Sequence, residues 1–266
     1  QGESNIRQWI IENDWLEAII ALPENMFYNT GIATYIWVLT NRKAEHRQGK
    51  VQLIDATQWY ASLRKNLGKK NCEFAEEHIR KICDLLLSFK ENEQSKIFPN
   101  EAFGYWKIIV ERPLRLRGIE ADKVYSTKEI KAFKENGQQD ESGVPVIKEV
   151  HKKAEPDPLH GFYEVRINGK ACVVEYEPDT ELRDTEQVPL LEDGGIEAFF
   201  KREVLPYVPD AWIDKSKTKV GYEISFTRHF YKPQDLRTLD EITADIRAIE
   251  IESEGLLDHI IGGVGL

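Results

Sequence analysis

Asn5-Ile-Arg-Gln-Trp-Ile-Ile-Glu-Asn-Asp-Trp-Leu-Glu-Ala-Ile-Ile-Ala-Leu-Pro-Glu-Asn-Met-Phe-Tyr-Asn-Thr-Gly-Ile-Ala-Thr-Tyr-Ile-Trp-Val-Leu39 is the stretch on which the fold reading turns. Ile6, Trp9, Ile10 and Ile11 lie at near-helical spacing, and Ser4 or Asn5 is expected to cap that helix, which would end near Asn13 and Asp14. Leu16 to Leu22 is an apolar run closed by Pro23, and Tyr35 to Leu39 is a second, rich in aromatic and β-branched residues. Continuous apolar runs after a helix predict strands buried on both faces, as in an α/β sheet. The loop between them, Glu24 to Ala33, is built differently, with Phe27 and Tyr28 set among turn-forming residues.

Beyond this stretch, Val51 to Ala56 reads as a short strand. Phe74, Ile79, Ile82, Leu85, Leu86 and Phe89 form the apolar stripe of a helix between Asn71 and Lys90, and Phe103 to Val110 reads as a strand ended by Arg112 and Pro113. Ile119 to Pro158 is highly charged and punctuated by Gly and Pro, which predicts a short helix around Thr127 to Phe133 and otherwise exposed loop. Asn168-Gly169 is a hairpin turn signal between Phe162 to Ile167 and Ala171 to Tyr176. Ile196 to Leu205 and Leu239 to Ile261 are amphipathic helices, the second carrying Leu239, Ile242, Ile246, Ile249, Leu256, Leu257 and Ile260 on its stripe.

Composition narrows the classes. A 41% hydrophobic content with six Trp supplies a core, while no apolar run approaches the ~20 residues of a membrane span. Cys72, Cys83 and Cys172 form no CxxC pair, which predicts reduced thiols, a cytoplasmic protein and no metal centre. The net charge of −10 repels phosphate, so any contact with nucleic acid must come from a local basic surface or a partner. The first residues hold neither an initiator Met nor an export signal and a helix-strand pattern begins at once, so the natural chain is expected to start upstream.

The segment from Asn5 to Leu39, with its Leu-Pro-x-x-x-Phe-Tyr-Asn-Thr-Gly-Ile loop, closely resembles the modification subunits of type I restriction systems. Similar stretches follow in order: Val51 to Ala56, Ser95-Lys-Ile-Phe, Val110-Glu-Arg-Pro-Leu-Arg, Asp184-Thr-Glu-Gln-Val-Pro-Leu, Phe200-Lys-Arg-Glu-Val-Leu-Pro, Asp210-Ala-Trp-Ile-Asp and Gly221-Tyr-Glu-Ile-Ser-Phe-Thr-Arg-His-Phe-Tyr. The resemblance implies an α/β fold: the closing strands of a methyltransferase-type sheet in residues 1–118, a charged loop and hairpin in 119–180, and a helical docking region in 181–266. It also implies an intact protein that methylates adenine N6 in double-stranded DNA with S-adenosylmethionine, working with a specificity subunit and a restriction subunit. The Gly-rich cofactor turn and the Asn-Pro-Pro-Phe/Tyr target motif of such enzymes are absent from this sequence, so it resembles a C-terminal portion expected to be inactive alone.

Three groups of residues are candidate sites. An enzyme that acts on a base in duplex DNA takes it out of the stack and must replace the lost stacking, and the resemblance places Phe27, with Tyr28 and Asn29, in that role. The plainer reading is that these rings cover the end of the sheet. Between Lys215 and Lys232, the cations Lys217, Lys219, Arg228, His229 and Lys232 interleave with Tyr222, Phe226, Phe230 and Tyr231, a pattern that serves phosphate contact or a solvated surface equally well. Ile242, Ile246, Ile249, Leu256 and Leu257 would dock the specificity subunit or pack within the chain itself. A module that docks without touching DNA is the competing function. Asp157 with Glu164-Val-Arg166 faintly echoes a nuclease metal site, but Arg166 stands where that chemistry needs Lys.

Overall fold

The computed structural model describes residues 2–167, 169–231 and 237–262, and in the last span it leaves aside the side chains of 252 and 254–262. Residues 1–226 and 227–266 form separate compact units. The first begins with α1 (Gly2–Glu12), β1 (Leu16–Leu22), β2 (Thr34–Leu39), β3 (Lys50–Asp55), the hairpin β4 (Ala61–Leu67) and β5 (Lys70–Glu73), α2 (Glu76–Ser88) and β6 (Ser95–Pro99).

These strands make a sheet in the order β2-β1-β3-β6, with β1 parallel to β3 and the other pairings antiparallel. Ile20, Leu22, Ile54 and Ala56 close a core with Ile82, Leu85 and Leu86 of α2 and with Phe74, so most of the helix stripe read from the sequence packs, while its member Ile79 is exposed. β1 is buried on both faces, as expected. β2 is not: Tyr35, Ile36, Trp37 and Leu39 are exposed, because among the described residues no strand lies beyond it. Ser4 and Asn5 also depart from expectation, since α1 starts at Gly2 and both lie inside it. The Ser4 hydroxyl is engaged instead with Tyr222, whose N–H donates to Ser4 Oγ at 3.0 Å, while Arg7 Nε donates to the Tyr222 carbonyl at 2.8 Å.

The second sheet is centred on β7 (Gly104–Glu111). Next in the chain come β8 (Arg115–Leu116), α3 (Thr127–Glu135), β9 (Val144–Pro145), β10 (Ile147–His151), β11 (Phe162–Ile167), β12 (Lys170–Tyr176), β13 (Asp184–Pro189), α4 (Gly195–Glu203), β14 (Trp212–Ile213), β15 (Lys219–Tyr222), α5 (Phe226–Phe230) and α6 (Leu239–Gly262). β13 pairs one edge of β7, while β14 and β15 share the other. The region 181–266 is therefore not simply helical: three of its strands complete this sheet, and Val188, Ala211 and Ile213 bury with Ile108, Val110 and Phe200 in one core. The expected divisions after 118 and 180 cut across that core.

The exposed loop expected around residues 119–158 is also corrected. β9 pairs with β8, β10 joins β12 and β11 in a third sheet, and Val146 is buried with Leu114, Leu116 and Ile119. α3 lies where the sequence placed a helix. Ile167 pairs with Lys170 across the expected hairpin, whose residue Asn168 lies outside the described residues. In the second unit α6 opens on a reciprocal cap, Glu241 N–H to Thr238 Oγ1 at 3.2 Å and Thr238 N–H to Glu241 Oε2 at 2.8 Å.

Candidate nucleic-acid interface

The loop joining β1 to β2 is held open by its own chemistry. Asn25 and Asn29 both adopt φ of 55°, a left-handed conformation that Asn tolerates better than most residues. Met26 turns inward to pack on the core of the first sheet, and the Thr30 N–H closes a turn on the Phe27 carbonyl at 3.4 Å. Phe27 and Tyr28 are thereby left outside, 49% and 68% exposed. A large apolar ring left in water on an anchored turn is costly unless something covers it.

The hairpin β4-β5 braces this loop. Asn71 N–H donates to the Asn25 carbonyl at 3.1 Å, and Cys72 Sγ–H to the Glu24 carbonyl at 3.3 Å, where burial pushes the thiol pKa up. At the tip, Gly68 has φ of +61°, and a Cβ there would sit 2.5 Å from Asn29 Oδ1 and 3.0 Å from Tyr28 Cε2. The hairpin was missed in the sequence because Ala61 to Leu67 lacks strict alternation; its nearest signal is Gly68 at the turn.

Of the second candidate, Lys217 and Lys219 lie in the first unit. Lys217 is engaged with Asp214 at 2.7 Å and with Glu111 at 3.1 Å, and these carboxylates hold its pKa above the ordinary lysine value. Glu111 is 1% exposed and also receives Arg183 Nε at 2.8 and 2.9 Å, so the Lys217 charge is consumed inside a network rather than offered to phosphate. Lys219 stands exposed opposite Lys107 on β15 and β7. Tyr222 and Phe226 are buried core residues, while Arg228 and His229 belong to the second unit and Lys232 lies outside the described residues.

Of the third candidate, Ile242, Ile246 and Ile249 are exposed along α6; the side chains of Leu256 and Leu257 lie outside the described residues. Glu149, His151 and Glu175 gather within 4.8 Å on the third sheet, a grouping the sequence reading did not anticipate. His151 Nε2 lies 2.8 Å from one Glu175 oxygen and Lys148 Nζ 3.4 Å from the other, so both oxygens of that carboxylate already have side-chain partners. Asp157 is turned onto His160 at 2.7 Å, and Glu164 and Arg166 point to solvent, which removes the nuclease echo.

S-adenosylmethionine needs a close backbone turn and an acidic partner for its ribose. The cavity between α1 and the second sheet is lined by Ser4, Asn5, Tyr105, Lys107, Lys217 and Lys219 among others, with cations and no carboxylate. This donor set does not fit a cationic sulfonium or its ribose.

What the first sheet and its loop define is an α/β protein that presents aromatic rings, beside cations, from a turn at a sheet end. Residues 1–102 match the model of the N-6 DNA Methylase family. The methylase subunit of the MjaIX type I restriction enzyme of Methanocaldococcus jannaschii is 35% identical over 91 residues, which is 34% of this chain and 16% of that protein. The MpnII methylase subunit of Mycoplasma pneumoniae is 33% identical over 34% of this chain and 15% of its own length, and the HindI methylase subunit of Haemophilus influenzae 34% identical over 35% and 19%. A solved type I restriction-modification methyltransferase subunit from Streptococcus thermophilus is 25% identical, with a TM-score of 0.33, over 39% of this chain and 20% of that one. The resemblance to type I modification subunits thus holds over the first sheet, loop and hairpin, and the matches span a small part of each relative. No helix among the described residues is long and apolar enough to cross a membrane.

Proposed function

We propose that this chain is part of the modification subunit of a type I restriction-modification complex, and that its β1-β2 loop receives the target adenine when that base leaves the duplex. Phe27 supplies the stacking face, Tyr28 flanks it, and Asn29 holds the turn that presents both. The observation that carries this reading is the exposure of Phe27 and Tyr28 on a turn whose neighbour, Met26, is anchored in the core. The intact enzyme then transfers a methyl group from S-adenosylmethionine to adenine N6. This chain's own residues hold and orient the base.

Double-stranded DNA is reached through the complex, in which the specificity subunit reads sequence and the restriction subunit is the cleaving partner. The exposed, apolar β2 is the side on which the rest of a methyltransferase sheet would continue. α6 docks the specificity subunit through Ile242, Ile246 and Ile249, supported by their exposure on one helix. Replacing Ile246 and Ile249 by Glu should abolish co-purification of the full-length subunit with its specificity partner while leaving its melting temperature unchanged; intact assembly would remove the docking role.

The loop is tested by Phe27→Ala in the full-length complex. Loss of a base-aromatic stack, ~1 to 3 kcal/mol, should slow methylation about 5- to 150-fold with an unchanged thermal melt. A wild-type rate, or a collapsed melt, would return Phe27 to a packing role.

A further inference from the structure

We propose that the hairpin β4-β5 is a phosphate-gripping arm that holds the DNA backbone next to the base received by Phe27; the inference rests on reading the β1-β2 loop as DNA-facing. Between Tyr60 and Glu73 the hairpin carries Arg64, Lys65, Lys69 and Lys70 against one carboxylate, Glu73. On a chain of net charge −10 this is a local run of four cations against one acid, whereas Lys217 elsewhere is held between Asp214 and Glu111. Among the described residues none of these four makes an ion pair, and Arg64, Lys65 and Lys69 are exposed. Four unneutralised cations on one small hairpin repel one another, and a polyanion relieves that repulsion by exchanging its condensed counterions for lysine and arginine.

Geometry then selects the polyanion. The hairpin tip is not a remote patch: Gly68 lacks the Cβ that would strike Asn29 and Tyr28, and the Lys69 stem runs past Gly31, 3.9 Å from the site of its absent Cβ. Backbone hydrogen bonding from Asn71 to Asn25 fixes the two segments together. Exposed rings and unpaired cations on one braced surface match a nucleic-acid strand, which offers bases and phosphates in alternation. Leu67 and Tyr60, both exposed on the same hairpin, add apolar surface toward the sugars.

The test uses the full-length modification-specificity complex with a duplex carrying its target and the same duplex with the target scrambled. Lys65→Gln with Lys69→Gln should weaken binding to both duplexes about tenfold at ~0.1 M salt and make the slope of log K against log salt less negative by about one per lysine. Lys152→Gln with Lys153→Gln, at an exposed segment elsewhere, makes the same change in net charge and should leave the slope alone. An unchanged slope in the hairpin variant, or an equal change in the control, overturns the proposal. If Phe27→Ala slows methylation while the hairpin slope is unchanged, only the arm is lost. If the slope falls while Phe27→Ala methylates normally, the arm stands and the stacking role does not.

Discussion

Two stretches of this chain interleave cations with aromatic rings: residues 23–33 together with the hairpin that braces them, and residues 215–231. In the first, the rings are exposed and the cations of the hairpin have no acidic partner among the described residues. In the second, Tyr222 and Phe226 are buried, and Lys217 is held by Asp214 and Glu111. The composition is alike, and the difference lies in what each segment pairs with. Tyr222 closes β15 where that strand pairs with β7 and is hydrogen-bonded to α1, and its ring is buried there, whereas the β1-β2 loop is anchored by Met26 and Asn71 and leaves its rings free. The two runs thus differ in the carboxylates folded beside them, Asp214 and Glu111 in the second.

The largest effect that would break this contrast concerns Glu111. Arg183→Ala in the full-length protein removes an Nε–H shared by both oxygens of a buried carboxylate, which keeps Lys217, and should cost about 2 kcal/mol in denaturant unfolding; a loss near zero would mean that Glu111 does not fix the second segment. Gly68→Ala should cost about 1 to 2 kcal/mol through its left-handed φ and should also slow methylation by displacing Asn29 and Tyr28. Unchanged methylation would separate the hairpin from the loop.

Lys217→Met should lower stability by about 1 kcal/mol and leave DNA affinity and its salt slope as in the wild type, the reverse of the hairpin lysines. The smallest effect is one of pH. Burial raises the Asp214 pKa, but Lys217 and Ser216 more than offset it and hold the carboxyl below its usual value. A depressed folded pKa gives stability that is full above the unfolded value of about 4 and is lost as pH falls through the folded one. The stability gap between wild type and Lys217→Met should therefore narrow below about pH 4, and a gap that stays constant would show that Asp214 is not the partner that matters.

The first sheet was legible because Ala18 to Leu22 is apolar without interruption, as a segment buried on both faces requires. β2 read the same way and is exposed, since a run of apolar residues reports a tendency to be covered and not the presence of a cover. β13 was invisible as a strand: of Asp-Thr-Glu-Gln-Val-Pro only Val188 is buried, and its pairing is dictated by β7 from far along the chain. The hairpin of β4 and β5 is similar, its main restraint being a loop some forty residues earlier. At the candidate site, Phe27 and Tyr28 were legible from resemblance, while Arg64, Lys65, Lys69 and Lys70 became visible only when folding set them beside those rings.

The β1-β2 loop begins and ends on a single rung of the sheet, Leu22 opposite Thr34, and is bonded to the hairpin near its first turn. Fixing a residue's backbone costs roughly 1 to 2 kcal/mol of conformational entropy. Here that cost falls on folding of the chain itself. Under the function proposed above, the rings would meet an incoming base already ordered, and the free energy of stacking would go into keeping the base out of the helix and not into organising the loop that receives it.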